Sequence, residues 1–202
     1  MDKAWEKRCR RIGVLVRYAD DLVILCRSER EAREALRRLE IVMEHLGLKL
    51  HPGKTSLVKL KGGQDGFDFL GFHFRKMKSW RYRRYYLQRW PSQKAMKAIR
   101  EKVRAITGPR SRLLKSLGEV IDEVNLILRG WGNYFRTGNS AKHFKQVDSY
   151  VRERLYLFLS KKHGQTGRGW GQRWAGIDFR REGLYYLSGT VQWYGTNAKA
   201  VG

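Results

Sequence analysis

The stretch Val14–Leu25, V-L-V-R-Y-A-D-D-L-V-I-L, places two adjacent aspartates between two apolar runs. Both runs are rich in Val, Leu and Ile, which favours strands, and only a short polar segment separates them. The pattern predicts a β-hairpin with Asp20 and Asp21 at its tip. Aspartate can simply form a turn, but two neighbouring carboxylates repel each other, and this rigid setting favours a further role for them.

That further role is metal binding. Mg²⁺ prefers hard oxygen ligands and is usually held by one or two carboxylates together with substrate phosphates. A pair of such ions stabilises the in-line attack of a hydroxyl on a phosphate. We therefore expect Asp20 and Asp21 to hold Mg²⁺ in front of an anionic substrate.

The composition also indicates an anionic partner. The chain has 202 residues, a formal net charge of +24 and 42% hydrophobic residues, so it is globular and strongly basic. Such a charge favours nucleic acid over an anionic membrane surface. No apolar run approaches the ~18 residues of a membrane span, and the N-terminus lacks a signal-peptide core, so we expect no membrane partner and a cytoplasmic location, bacterial or organellar. The cysteines, Cys9 and Cys26, are too few for a zinc site or a disulfide framework, and we expect Cys26 to be buried.

A helix and short strands are predicted after the hairpin. Ser28 and Glu31 form a capping-box pattern, apolar residues then recur at helical spacing, and Gly47 ends the helix. Alternating residues predict strands at 48–50 and 56–60. The phenylalanines between 67 and 74 predict an aromatic hairpin around Gly71.

Three amphipathic helices follow. The first precedes Gly108, the second runs from about Leu113 to Leu128 with Gly130 ending it, and the third starts near Ser140. They predict a small helical bundle. Beyond it, short aromatic strands are expected at 185–187 and 191–194. The predicted fold class is α+β: a partial antiparallel sheet with one packed helix, a three-helix bundle and a basic tail.

Four blocks resemble the reverse transcriptases of group II introns. Tyr18–Asp21 resembles their polymerase motif, and the block Leu46–Thr55 and the Phe69–Phe72 primer-grip block follow in the family's order. The stretch N-L-I-L-R-G-W-G-N-Y-F at 125–135 resembles the signature of their maturase, or thumb, domain. The resemblance implies domains at 1–90 (partial palm with primer grip), 91–163 (maturase/thumb) and 164–202 (basic tail).

The resemblance also implies residue roles. Asp20 would be the principal palm metal ligand, with Asp21 its weaker companion. Tyr18 would pack beneath the incoming nucleotide or the primer end, and Lys54 would lie near the leaving pyrophosphate as a possible proton donor. The primer terminus would be supported by Leu70, Gly71 and Phe72. Family members copy intron RNA into DNA and bind their own intron to assist splicing, so the implied partners are group II intron RNA and a DNA target or primer.

The family's fingers and first palm aspartate precede the hairpin, whereas only a short basic lead precedes Val14 here. With two of three metal carboxylates, this chain alone is expected to lack polymerase activity. The chain would then be a truncated copy, a degenerate remnant or one half of a split enzyme, and in the last case a separate chain would supply the fingers and the first half of the palm. The alternatives are a non-catalytic RNA-binding splicing factor, in which the aspartates are relics, and a basic nucleic-acid-binding module of unrelated ancestry.

Further nucleic-acid contacts are expected where cations alternate with aromatic residues, on one helix face and in the maturase signature. A merely solvated surface is the alternative for each group. The candidate residues are Arg75, Lys76, Arg81, Arg83, Arg84, Lys94, Lys97, Arg104, Arg129 and Arg136. The chain shows no Cys-x-x-Cys pair and no phosphate-cradling Walker loop, which excludes a zinc-bearing endonuclease domain and a P-loop from this sequence.

Overall fold

The computed structural model describes residues 2–60, 63–79, 83–164, 174 and 176–192, without the side chains of residues 2–4 and 8. The chain divides into two compact units: Met1–Leu70 with Phe74–Leu87, here the hairpin unit, and Gly71–His73 with Gln88–Gly202, here the bundle unit. The helices and strands are α1 (Asp2–Cys9), β1 (Val14–Tyr18), β2 (Asp21–Leu25), α2 (Glu29–His45), β3 (Gly66–Phe69), β4 (Phe72–Lys78), β5 (Tyr85–Pro91), α3 (Gln93–Thr107), α4 (Leu117–Phe135) and α5 (Ala141–Lys162).

The predicted hairpin is present. β1 and β2 pair antiparallel with Tyr18 opposite Asp21, which leaves a two-residue loop of Ala19 and Asp20. Ala19 has φ 52°, the left-handed value that a type II′ hairpin turn requires at its first loop position. A residue with a Cβ pays roughly 1–2 kcal/mol there, so the tip holds a defined, mildly strained shape. The Arg17 side chain also donates to the Ala19 carbonyl at 3.0 Å.

The core of the hairpin unit contains a helix that the sequence reading missed. α1 places Trp5, 2% exposed, against the buried Ala35 and Leu39 of α2. The Trp5 indole Nε1 donates to the Gly13 carbonyl at 3.0 Å, so the polar atom of this buried ring is satisfied. Cys26 packs against this core but is only half-buried. Burial raises the pKa of its thiol, and the negative charge of Glu31 raises it further.

α2 forms as predicted, with one difference at its start. The Ser28 hydroxyl accepts from the Glu31 amide at 3.2 Å, as in a capping box. The Glu31 carboxylate, however, accepts from the Arg27 amide at 2.9 Å instead of from the Ser28 amide, so the second hydrogen bond of the capping box is displaced by one residue. At the other end Gly47, with φ 66°, follows the last turn as expected. The Leu48 amide donates to Met43 across it, which completes a glycine-capped helix end.

The strands predicted at 48–50 and 56–60 are wrong, because both segments are irregular. His51 closes a turn between them: its carbonyl accepts from the Lys54 and Thr55 amides, and its Nδ1 accepts from the Gly53 amide at 3.1 Å. An alternating pattern becomes a strand only beside another strand, and neither segment has one among the described residues.

The aromatic hairpin around Gly71 is confirmed as β3 and β4, and β5 adds a third strand in the order β3-β4-β5. Phe67 and Phe74 stack in it with ring centroids 5.2 Å apart. The single partial sheet that was expected is therefore two small antiparallel sheets, and the α+β class is confirmed.

The predicted three-helix bundle is present as α3, α4 and α5. Its core contains Met96, Ile99, Val103, Ile106, Val120, Ile121, Val124, Leu128, Phe135, Phe144, Val147, Val151, Leu155, Phe158 and Leu159. None of the helices in the described part of the chain combines the length and apolar character that a bilayer crossing requires.

The bounds of α4 differ from the prediction at both ends. It begins after Ser116, whose hydroxyl accepts from the Glu119 amide while the Glu119 carboxylate accepts from the Ser116 amide, a complete capping box. It also passes through Gly130 and Gly132 to Phe135, so Gly130 does not end it. Gly132 serves close packing, because a Cβ there would lie 2.5 Å from the Leu187 side chain.

The predicted strand at 185–187 is also wrong; the other predicted tail strand extends beyond the described residues. The tail amides bond to side chains of the bundle instead of to a neighbouring strand. Tyr185 donates to the Asn125 side chain at 2.7 Å, and Leu187 donates to Asp148 at 2.9 Å. These side chains satisfy the backbone groups that a sheet would otherwise have paired.

Candidate nucleic-acid interface

The two aspartates of the hairpin tip are both exposed. Asp20 lies in the two-residue loop and Asp21 begins β2, so the hairpin turn alone sets their separation along the backbone. Two adjacent, solvated carboxylates are a suitable oxygen donor set for part of a Mg²⁺ coordination shell. Within the described residues, no group of three or more His, Cys, Asp or Glu side chains comes together that could hold a metal ion.

The outer face of the same hairpin is apolar and open. The inner face of the strands packs on the Trp5 core through Leu15, Leu22 and Ile24. The opposite face carries Val14, 59% exposed, and Tyr18, 67% exposed, together with the exposed Val16 and Leu25. In an isolated two-stranded sheet such a face is unfavourable, because its apolar area remains in water.

Lys54, which is expected to lie near the leaving pyrophosphate, is found in the irregular segment after α2. Lys54 is exposed, and its amide donates to the His51 carbonyl at 3.0 Å. The turn therefore fixes the backbone of Lys54 while leaving its ammonium group in solvent.

The primer-grip block occupies the turn between β3 and β4. Leu70 and Gly71 have φ 49° and 75°, so both adopt the left-handed conformation. Gly71 is the residue best suited to that conformation, and its carbonyl accepts from the Ser92 amide at 2.8 Å. Phe72 is buried, with its ring 4.8 Å from that of Phe135. The block is a tightly built turn, in which Phe72 acts as a packing residue.

The cationic side chains of the 75–86 segment differ in their exposure and in their hydrogen bonds. Arg75 is partly buried and its Nε donates to the Gly63 carbonyl at 2.7 Å, so it ties a turn in place. Lys76, Arg83 and Arg84 are exposed, and Arg83 sits in a turn with φ 51°. Arg81 lies outside the described residues.

The expected basic face of α3 is exposed. Lys94, Lys97 and Arg104 all point into solvent, and only Lys97 approaches a carboxylate, Glu101 at 3.8 Å, among the described residues. An ion pair this exposed contributes little. A shallow groove of about 420 Å³ runs beside this face, lined by Gln93, Lys97, Arg100, Glu101, Arg104 and Tyr150.

The maturase-like signature on α4 combines packing residues and surface cations. Trp131 packs between Phe135 and Phe144, with ring centroids 4.7 and 5.6 Å away, as expected of a core residue. Arg129 is exposed, and its guanidinium lies 4.4 Å from the centre of the Tyr185 ring. Arg136 caps the helix, and its carbonyl accepts from the Gln192 amide at 2.9 Å.

Sequence reasoning missed the residues that attach the tail to the bundle. Asp148 is 6% exposed on α5 and accepts from the Leu187 amide, the Ser188 amide and the Ser188 hydroxyl. The signal was present, because Asp148 stands at helical spacing between the buried Phe144 and Val151. A carboxylate in an apolar stripe requires a hydrogen-bonding partner.

Comparison with known families matches two parts of the chain. Residues 1–74 match the reverse transcriptase (RNA-dependent DNA polymerase) family, and residues 96–175 match the group II intron, maturase-specific domain. No curated protein matches the chain. The two matches follow the order that the four sequence blocks predict, and they contradict an unrelated ancestry for the basic module.

Proposed function

Because this chain belongs to the group II intron reverse transcriptase/maturases and is a portion of such a protein, we propose that it binds group II intron RNA and contributes Asp20 and Asp21 to a polymerase site. The maturase-specific domain implies the intron RNA as a partner. The hairpin supports the proposed contribution to a polymerase site, since it presents two solvated carboxylates at the end of an exposed apolar face.

In this proposal Asp20 and Asp21 would hold Mg²⁺ together with a third carboxylate from palm residues that are not among these 202. When bound, Mg²⁺ supplies charge stabilisation for the attacking and leaving oxygens of nucleotidyl transfer. This chain's own contribution is positional: the fixed hairpin turn orients the carboxylates, and the turn at Leu70 and Gly71 supports the end of a DNA primer. Lys54 is free to donate a proton near the departing phosphates.

The open hairpin face suggests where the remaining palm residues dock. Covering Val14, Val16, Tyr18 and Leu25 would remove their apolar area from water, which is favourable by about 25 cal/mol per Å². A palm segment on this face would also be able to bring its own carboxylate towards the tip. The segment belongs either to the same polypeptide or to a separate chain, and the finished complex acts while bound to intron RNA.

Primer extension tests the polymerase part. The chain alone is expected to give no templated DNA synthesis with an RNA template, a DNA primer and Mg²⁺, and clear synthesis would contradict the need for a third carboxylate. In a complete enzyme that includes this segment, Asp20→Ala should reduce synthesis by orders of magnitude while RNA binding is unchanged. Asp65→Ala, which removes an exposed acid of the same unit that is not part of the Val14–Leu25 hairpin, is the matched control.

A non-catalytic splicing factor is the second candidate. The bundle unit has its own buried core and its own exposed cations on α3, so the features needed to bind RNA do not involve the aspartates. A splicing assay separates the two functions. If Asp20→Ala leaves both splicing and the complete enzyme's DNA synthesis unchanged, the aspartates are relics and the splicing factor is the correct description.

A further inference from the structure

A second basic site lies on the bundle unit, where the tail crosses α4. It is a notch of about 300 Å³. The residues that line this arginine notch are Arg129, Arg180, Gly183, Leu184, Tyr185, Tyr186 and Ser188. Only Arg129 belongs to the maturase signature, and residues 176–192 lie outside both family matches.

Both arginines of the notch lie over tyrosine rings. The Arg129 guanidinium carbon lies 4.4 Å from the centre of the Tyr185 ring, and that of Arg180 lies 4.7 Å from the centre of the Tyr186 ring. A guanidinium held over a ring by cation–π attraction still donates through the N–H groups that point away from the ring. The contact also restricts the side chain, so less entropy is lost when those N–H groups bind an anion.

Two carboxylates near the notch are already engaged elsewhere. Asp148 accepts the two amides and the hydroxyl of residues 187 and 188. Asp178 accepts the Arg180 amide at 3.0 Å and forms its ion pair with Arg181 at 3.6 Å. Over the described ranges, neither Arg129 nor Arg180 has a carboxylate within ion-pair distance, so their charge is available to a ligand.

The notch is also preformed. Asn125 of α4 donates to the Gly183 carbonyl at 2.9 Å and accepts from the Tyr185 amide at 2.7 Å, which holds one side of the tail segment to the helix. Leu184 and Leu187 are buried beneath it. The two arginines are therefore placed by the folded tail before any ligand arrives.

We propose that the arginine notch binds backbone phosphates of group II intron RNA, an inference that rests on the proposed function. Guanidinium groups match phosphate oxygens in a planar, two-pronged fashion that lysine cannot reproduce. The tail is on this view an RNA-binding element of the maturase unit, and Arg129 and Arg180 together contact the phosphates.

The test is binding of a labelled group II intron transcript to the full chain over a KCl series. The double variant Arg129→Gln/Arg180→Gln should bind at least about tenfold more weakly, and the slope of log K against log salt should fall by about 1.5, since each lost phosphate contact removes about 0.7–0.9. Arg181→Gln is the matched control, because it removes the same charge from the next residue without lining the notch.

A second variant separates charge from geometry. Arg129→Lys/Arg180→Lys keeps both charges, so it should keep most of the salt slope while losing part of the affinity. The inference is overturned if the glutamine double variant weakens binding no more than twice the effect of Arg181→Gln, or if the lysine variant loses as much slope as the glutamine variant. A wild-type chain that fails to bind the transcript at all overturns the proposed function as well, whereas normal wild-type binding with an unaffected glutamine variant overturns the notch alone.

Discussion

Replacing Asp148 by asparagine should release the tail from the bundle without unfolding it. The carboxylate accepts three hydrogen bonds, at 2.9 Å from the Leu187 amide and at 2.9 and 2.5 Å from the Ser188 amide and hydroxyl. Hydrogen bonds to a charged group are worth about 1.5–3 kcal/mol each. Asparagine keeps one oxygen but turns an NH₂ group towards the remaining donors, so we expect a loss of about 3 kcal/mol, on the order of a 100-fold change in the local opening equilibrium.

Native-state hydrogen exchange measures this opening directly. The Leu187 and Ser188 amides should exchange about 100-fold faster in Asp148→Asn, because the tail segment that carries both amides opens more often. The amides of α3 and of the middle of α4 should keep their protection, since the buried core of the bundle is unchanged. Asp178→Asn is the control: this exposed carboxylate accepts a single tail amide, so its loss should change exchange only a few-fold, for a cost of at most about 1 kcal/mol.

Two results would refute this reasoning. Equal exchange of the two amides in Asp148→Asn and in the wild type would mean that the carboxylate does not hold the tail. A uniform loss of protection over α4 and α5 would mean that Asp148 supports the whole bundle instead of docking one segment.

The remaining predictions concern stability. Trp5→Ala should cost about 3–5 kcal/mol in urea unfolding of the hairpin unit, because it empties a buried site. Gly132→Ala should destabilise the protein by about 1–3 kcal/mol, since its Cβ would lie 2.5 Å from the Leu187 side chain. Gly130→Ala should stabilise it by up to about 1 kcal/mol, because beyond its chain neighbours and the local helix backbone no atom lies within 4 Å of the new Cβ; thermal melts of the two variants check both values. Hydrogen bonds from its arginine partners on α2 lower the pKa of Glu34 from 4.5 to about 2, so the stability that it contributes is present above pH 4.5 and is lost as the pH falls towards 2. Glu34→Gln should remove that part of the pH dependence, and acid unfolding curves at low salt measure it.

Elements fixed by local chemistry could be predicted from the sequence. The hairpin follows from two apolar runs around a short polar tip, and α2 and α3 follow from a serine cap and an apolar stripe. Elements that depend on distant partners could not. Whether residues 56–60 or 185–187 pair as strands depends on an available sheet edge, and the tail amides instead find a carboxylate 39 residues away.

The same distinction applies to the candidate sites. Asp20 and Asp21 are found by sequence because the hairpin alone brings them to one tip. The arginine notch is not found, because Arg129 and Arg180 come together only when Asn125 docks the tail onto α4. A glycine can mislead in the same way. Gly130 suggests a helix end, but α4 continues through Gly132, where the space left by the missing Cβ is filled by the Leu187 side chain.

The positions of the acidic residues determine where the excess positive charge is free to act. On α2, Glu29 pairs with Arg33 at 2.7 Å, and Glu34 pairs with both Arg37 and Arg38 at 2.9 and 2.7 Å. These arginines are partly neutralised within the helix, so α2 is a poor phosphate-binding surface despite its many cations. Among the described residues the notch arginines have no ion pair, and Lys97 of α3 has only a weak, exposed one with Glu101. A net charge of +24 therefore indicates a polyanion, while the distribution of carboxylates, which net charge does not reveal, favours the α3 face and the arginine notch over α2 as places where that polyanion binds.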